Sequence, residues 1–197
     1  MIAIFDYGAG NLRSVANTLE EVGAAYRIVR DAAGLRRASK LILPGVGHYG
    51  QLLRALDAAG VRPELARMLR AGVPYLGICL GLQVLFEGSE EAPEAAGLGL
   101  FEGRVARFPA AARVPQMGWN RVQAREGCRL LAGLPSPAYF YFAHSYYVPV
   151  TEGMAALATY WVDYTAVFES GLIFGVQFHP EKSGPLGLRV MKNFAEL

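Results

Sequence analysis

Cysteine is scarce. Cys79 and Cys128 are the whole complement, too few for a disulfide framework or a structural zinc site. Histidine is nearly as rare, and His48, His144 and His179 share no ligand spacing, so no metal is expected. Charge of one sign is lacking too. Nineteen basic and 17 acidic side chains leave a net charge of +2, far from the electrostatic footprint of a nucleic-acid binder. No apolar run approaches the ~18 residues of a membrane span. The opening Met1-Ile2-Ala3-Ile4-Phe5-Asp6 has no basic leader segment, so it reads as a first strand and not a secretion signal. Repeats, low-complexity tracts and linkers are missing. These absences point to the reducing cytoplasm, with no membrane and no nucleic acid as partner.

What is present is a core. Of 197 residues, 53% are hydrophobic and 18% charged, which excludes disorder and suits a single domain over 1–197. In the first half, short apolar runs at Ile2 to Phe5, Tyr26 to Arg30, Lys40 to Leu43 and Val73 to Ile78 read as strands. Between them, Leu12, Val15, Ala16, Leu19 and Val22 follow helical spacing, with Gly23 as a stop. Pro63 opens a second helix that buries Leu65, Met68 and Leu69 and ends at Gly72. Such alternation implies right-handed crossovers and a parallel sheet covered on both faces. The second half is richer in strands, at Phe101 to Phe108, Tyr139 to Val148, Met154 to Trp161, Thr165 to Phe168 and Leu172 to Phe178. A final helix starts near Pro185 and packs through Leu186, Val190, Phe194 and Leu197. The expected fold is α/β: three layers, a mostly parallel central sheet, and additional antiparallel strands.

The most informative stretch is Gly77-Ile78-Cys79-Leu80-Gly81, where a buried strand ends and a helix is expected to follow. A Gly-x-Cys-x-Gly run is the cysteine counterpart of a nucleophile elbow, whose glycines let the chain turn sharply and present the central side chain. A thiolate at a helix start faces unpaired N–H groups, which favours its charged form. The bland alternative is that Cys79 is one more small buried apolar residue. A nucleophile needs a base, and Gln177-Phe178-His179-Pro180-Glu181 offers one. In extended backbone His179 and Glu181 face the same side, and Pro180 favours that conformation for His179. An imidazole to take the thiol proton and a carboxylate to orient it complete a triad. An incidental surface His-x-Glu is the alternative, disfavoured because an apolar strand delivers the pair to a strand's C-terminal end.

Pro44-Gly45-Val46-Gly47-His48-Tyr49-Gly50 also follows a strand and literally contains G-x-G-x-x-G. A dinucleotide site would need a second strand ending in an acid some twenty residues on; Glu64 instead lies in a helical pattern. An oxyanion hole fits better, with N–H groups from the Gly45–Gly47 loop and from Leu80. His144 either lines a pocket or is a structural strand-end histidine. Asn11 could cap the first helix. Cys128 is expected to be inert.

Together these runs resemble the class I (triad) glutamine amidotransferases, a family of flavodoxin-like α/β domains. Asp6-Tyr7-Gly8-Ala9-Gly10-Asn11-Leu12-Arg13-Ser14-Val15, Pro44–Gly50, Gln116-Met117-Gly118-Trp119-Asn120 and Gln177–Ser183 are similar to the glutaminase subunits of imidazole glycerol phosphate synthase. Gln116 departs from the pattern, which has His there, and the departure is expected to bear on the partner surface. The resemblance implies that Cys79, His179 and Glu181 hydrolyse L-glutamine through a thioester, without cofactor. It implies an oxyanion hole from the backbone of Val46, Gly47 and Leu80, and glutamine contacts from Gln83, Glu91, His144, Ser145 and Tyr146. It implies a heterodimer with a cyclase subunit, a (β/α)8 barrel, met through Asn11, Trp119, Tyr141 and Lys182. Close rivals are glutaminases serving anthranilate or pyridoxal phosphate synthesis, which typically carry Pro-Gly-Gly at the oxyanion loop. A cysteine peptidase or γ-glutamyl hydrolase, and a noncatalytic binding subunit, are more distant ones.

Overall fold

The structure, a computed structural model, describes residues 1–9 and 11–197; Gly10, within the Asp6–Val15 run, lies outside the described residues. The first half runs β1 (Ile2–Phe5), α1 (Leu12–Glu21), β2 (Tyr26–Val29), α2 (Ala32–Arg36) and β3 (Lys40–Gly45). It continues with α3 (Tyr49–Ala58), α4 (Arg62–Arg70), β4 (Tyr75–Cys79) and the single turn α5 (Leu80–Gln83). Then come β5 (Phe86–Ser89), β6 (Ala92–Ala96), β7 (Phe101–Arg107), β8 (Gln116–Ala124), β9 (Ala138–His144) and β10 (Tyr146–Tyr147). Last are β11 (Met154–Tyr160), β12 (Val162–Ser170), β13 (Ile173–Val176), a 3₁₀ turn at Pro180–Lys182, and α6 (Gly184–Glu196).

Nine strands form one sheet in the order β2-β1-β3-β4-β13-β12-β11-β8-β9. The five from β2 to β13 are parallel, and the other four extend the sheet antiparallel to one another. Alternation along the strands explains the layers. Ile2, Ile4, Ile42, Leu76 and Ile78 point to one face and pack with Val15 and Leu19 of α1 and Val190, Met191 and Phe194 of α6. Ala3, Phe5, Leu41, Leu43 and Tyr75 point to the other, against Leu52, Leu53 and Leu56 of α3 and Leu65, Met68 and Leu69 of α4. Burying each large aliphatic side chain of this kind contributes roughly 1.5–3 kcal/mol. A smaller sheet, β10-β7-β5-β6, leans on the second face.

Several expectations need correction. The helix after Cys79 is one turn, and by Phe86 the chain has become β5. The segment Tyr139 to Val148 is two strands: β9 belongs to the large sheet and β10 pairs with β7 of the small one. The chain changes sheets at Ser145, and the fixed backbone there will matter to the site. Helix α3 keeps Tyr49, Leu52, Leu53 and Leu56 buried at helical spacing, a pattern obscured by Gly50 and the glycine-rich loop before it. Strand β8 cannot be read from hydrophobic alternation because its pattern is inverted: it buries Gln116 and exposes Met117 and Trp119.

Candidate active site

Three neighbouring parallel strands end at one place. Gly45 of β3 pairs with Cys79 of β4, and Val176 of β13 pairs with Ile78. The loop after β3, the elbow after β4 and the His-Pro-Glu run after β13 therefore meet at the sheet's C-terminal edge, where open α/β sheets build their sites. Cys79 itself carries the turn, with φ of 54° in the left-handed region. A non-glycine residue held there stores roughly 1–3 kcal/mol of backbone strain. The flanking glycines act differently from the expectation. Neither has positive φ; they are needed for close approach. A Cβ on Gly77 would strike the Gly81 carbonyl, and one on Gly81 would strike the Leu43 carbonyl.

His179 is buried, and its Nδ1 bonds Glu181 Oε1 at 2.9 Å. The carboxylate must accept, so Nδ1 carries the hydrogen and Nε2 is left as the base. His179 is held extended, at φ −101° and ψ 97°, as Pro180 requires. Glu181, however, lies on the 3₁₀ turn, so the pair meets across a tight turn and not along a strand. Burial works against a charged imidazole here, yet the neighbouring Cys79 sulfur and Glu181 carboxylate outweigh it and hold His179 well above its ordinary basicity. With only one helical turn after Cys79, the helix start supplies few oriented N–H groups, and the charged partner for a thiolate is the imidazolium.

A cavity of about 340 Å³ opens over this group, lined by Val46, Gly47, Cys79, Leu80, Gln83, Glu91, Pro115, Ala143, His144, Ser145, Tyr146, His179 and Lys182. One wall is the strand switch at Ser145. The Tyr146 carbonyl there accepts from His144 Nδ1 at 2.8 Å and from Gln83 Nε2 at 2.9 Å. His144 Nε2 and Gln83 Oε1 are buried acceptors without a partner among the described residues.

A family model described as "Glutamine amidotransferase class-I" matches residues 3–197. The chain belongs to that family. "Imidazole glycerol phosphate synthase subunit HisH" of Desulfitobacterium hafniense (strain Y51) is 46% identical to it, over 100% of this chain and 94% of that protein. The protein of the same name from Methanothermobacter thermautotrophicus is 48% identical, over 100% and 98%, and that from Deinococcus radiodurans 48%, over 98% and 92%. A solved structure, "Crystal structure of glutamine amidotransferase", overlays with a TM-score of 0.78 at 21% identity, over 100% of this chain and 99% of that one. "Structure of PurLQS from Thermotoga maritima" overlays with a TM-score of 0.76 at 22%, over 99% and 97%. These two show the fold.

Within this class I amidotransferase, the expected residues fall into three groups. Cys79, His179, Gly47, Leu80, Gln83, Glu91, His144, Ser145 and Tyr146 all line the cavity, and Glu181 stands behind His179. Val46 lines it too, but its N–H donates to Tyr7 Oη at 2.9 Å, and its carbonyl accepts from the same hydroxyl at 2.9 Å. In this conformation Val46 has no spare N–H for an oxyanion. Leu80, at the first position of α5, has no acceptor inside the helix. Glu91 is also committed: its Oε2 accepts from the Tyr49 N–H at the start of α3, at 2.8 Å.

The third group lies outside. Trp119 is exposed and stands edge-on to Tyr141, its cross-strand neighbour, at 6.3 Å, and Lys182 Nζ lies 5.7 Å from the Tyr141 ring centre. Lys182 reaches the cavity wall as well, so this outer stack adjoins the site. Asn11 does not cap α1 through its side chain; its Oδ1 accepts from Ser14 Oγ at 2.7 Å. Gln116, expected at the surface, is buried opposite His144 and accepts from the Tyr164 hydroxyl at 3.1 Å. Tyr7 and Gln177 sit in runs the sequence singled out but had no assigned part. Strand register, Val176 against Ile78, was the signal that could have placed Gln177 beside Cys79.

His144 has a measurable consequence for stability. Burial lowers it from 6.5 to about 4, against the Tyr146 carbonyl that favours its N–H. The unfolded chain takes up a proton there below about pH 6.5, and the folded chain does not. Stability from this group is therefore whole above pH 6.5 and is lost as pH falls through 6.5 towards 4. The urea midpoint should drop more steeply between neutral and mildly acid pH in the native chain than in His144→Asn. Parallel curves would mean that His144 titrates normally.

Proposed function

We propose that this chain hydrolyses L-glutamine to glutamate and ammonia and hands the ammonia to a cyclase subunit, in the synthesis of imidazole glycerol phosphate and aminoimidazole carboxamide ribotide for histidine. The observation that carries the reading is the meeting of Cys79, His179 and Glu181 beside one cavity, in a chain 46–48% identical to several synthase subunits of that name. Cys79 Sγ attacks the γ-carboxamide carbon. His179 Nε2 takes the thiol proton and gives it to the departing nitrogen, so ammonia leaves and a γ-glutamyl thioester remains. Water, deprotonated by the same imidazole, then releases glutamate and restores the thiol. Glu181 keeps Nδ1 protonated and balances the imidazolium.

The oxyanion that forms in both halves is met by backbone N–H groups of Gly47 and Leu80, and by Val46 once its bond to Tyr7 opens. Gln83 Oε1, Glu91, His144, Ser145 and Tyr146 hold the amino-acid end of glutamine, whose ammonium suits the cavity's unpartnered acceptors. The whole chain, 1–197, acts as one amidotransferase domain in the cytoplasm, with free cysteines and no resident cofactor. The partner is a (β/α)8 barrel that docks on Asn11, Trp119, Tyr141 and Lys182 as a heterodimer. A docked partner makes chemical sense, since ammonia released to neutral water is mostly protonated and no longer nucleophilic.

Adding the cyclase subunit of imidazole glycerol phosphate synthase should raise glutamine hydrolysis by a factor in the roughly 5–150-fold span of ordinary site-to-site coupling. The synthase subunits of anthranilate or pyridoxal phosphate formation should not. Stimulation by either of those, or peptide cleavage by the chain alone, would overturn the assignment.

A further inference from the structure

Gln177 stands outside the triad yet touches its sulfur. It is fully buried, its backbone N–H is fixed to the Ala166 carbonyl at 2.9 Å, and it follows Val176, the partner of Ile78. That register sets it across from Cys79. Its Nε2 donates to Cys79 Sγ at 3.4 Å, and its Oε1 accepts from Gln83 Nε2 at 3.0 Å.

The direction of this chain of amides follows from chemistry. The Tyr146 carbonyl can only accept, so the Gln83 group facing it at 2.9 Å is the NH₂ end. The two hydrogens of that NH₂ then go to Tyr146 and to Gln177, so the group of Gln177 facing Gln83 is the oxygen. What remains toward the sulfur is an N–H. Turning either amide over would set donor against donor or oxygen against sulfur in a dry interior, a penalty of about 1–3 kcal/mol for each unsatisfied group.

We infer that Gln177 is a positioning residue for Cys79. It holds the sulfur over the cavity and turns an N–H dipole toward it, so that negative charge on the sulfur is favoured. Its own orientation is dictated by Gln83, which is one of the residues lining the cavity. Filling the cavity and readying the sulfur are thereby linked through two amides. This rests on Cys79 being the nucleophile, as proposed above.

The test uses the assembled complex in a Cys128→Ser background, so that Cys79 is the one thiol of this chain and its alkylation is read from the mass of this chain. Iodoacetamide alkylation is followed against pH, with kcat and KM for glutamine and the ammonia-driven synthase rate measured alongside. In Gln177→Met, similar in size but unable to donate, the alkylation profile should move up by about one pH unit. For glutamine, kcat should fall about tenfold or more with KM nearly unchanged, about the loss of one charge-assisted hydrogen bond. An unmoved profile with native kcat overturns the inference. Should Gln177→Met fail to fold, as a lost ammonia-driven rate would reveal, Gln177→Asn takes its place. Its amide is one methylene too short to reach the sulfur, so the same shift is expected and a native profile is again fatal. Cys79→Ser in the same background separates the two claims: glutamine turnover surviving there defeats the nucleophile itself, whereas its loss beside an unchanged Gln177→Met defeats only the role of Gln177.

Discussion

Replacing Cys79 with Ser is expected to lower glutamine-dependent turnover by at least about 10⁴-fold, the scale on which loss of a triad nucleophile is felt. That is about 5 kcal/mol of lost transition-state stabilisation. A hydroxyl is a far weaker acid than a thiol, so the His179 imidazole that can deprotonate a thiol is poorly matched to Ser. The substitution is nearly isosteric, and the elbow's strained φ of 54° is imposed by strands on both sides, so the fold should persist. Ammonia-driven synthesis in the complex should accordingly continue at the native rate. Both rates fit one assay of the mixed subunits, fed first with glutamine and then with ammonium salt. Glutamine turnover at the native rate would remove Cys79 from the chemistry. Loss of both activities would instead report a broken complex.

His179→Ala should be nearly as damaging, by about 10⁴-fold or more, because members of an activated pair act as a unit and removing one costs about as much as removing both. Glu181→Gln should cost less, roughly 10²–10⁴-fold. The amide keeps an oxygen for the His179 Nδ1–H, which now lies 2.9 Å from the carboxylate, but it withdraws the negative charge that helps raise the imidazole's basicity. With that charge gone, the burial that opposes an imidazolium has less to overcome it, and His179 becomes a weaker base. The activity profile of Glu181→Gln should therefore rise at lower pH than the native one. The comparison of kcat/KM for the two variants decides the roles. Equal losses would make Glu181 a participant in proton transfer and not an orienting group behind it.

Much of the architecture could be read directly from the chain. Ile2–Phe5, Lys40–Gly45 and Ile173–Val176 are apolar runs buried on both faces, and such runs announce parallel strands. The elbow and the His-Pro-Glu run were legible because strand-to-turn chemistry is local: a glycine on each side of Cys79, and a proline directly after His179. Where local pattern and tertiary context disagreed, the pattern misled. Strand β8 turns Trp119 and Met117 outward and Gln116 inward, since its outer face adjoins the Tyr141 and Lys182 stack while Gln116 receives the Tyr164 hydroxyl. The helix expected after Cys79 is the single turn α5, and nothing local marks its end, because Leu82, Val84, Leu85 and Phe86 are all apolar and buried, and burial on all sides erases periodicity.

The linear order of residues pointed to the candidate groups for chemistry, a cysteine bracketed by glycines and a histidine two residues before a glutamate, and gave no reason to expect a metal, disulfide or nucleic-acid site. Folding settled who stands beside whom. Adjacent placement of β3, β4 and β13 is a matter of sheet order, and it alone brings residues 45, 79 and 177 side by side. The same holds for Tyr7, which ties up both polar groups of Val46, and for the amide chain from Tyr146 through Gln83 to the sulfur. Hydrogen bonds act over about 3 Å and are blind to separation along the chain, so contacts between residues 39 to 98 positions apart exist only once the strands have paired.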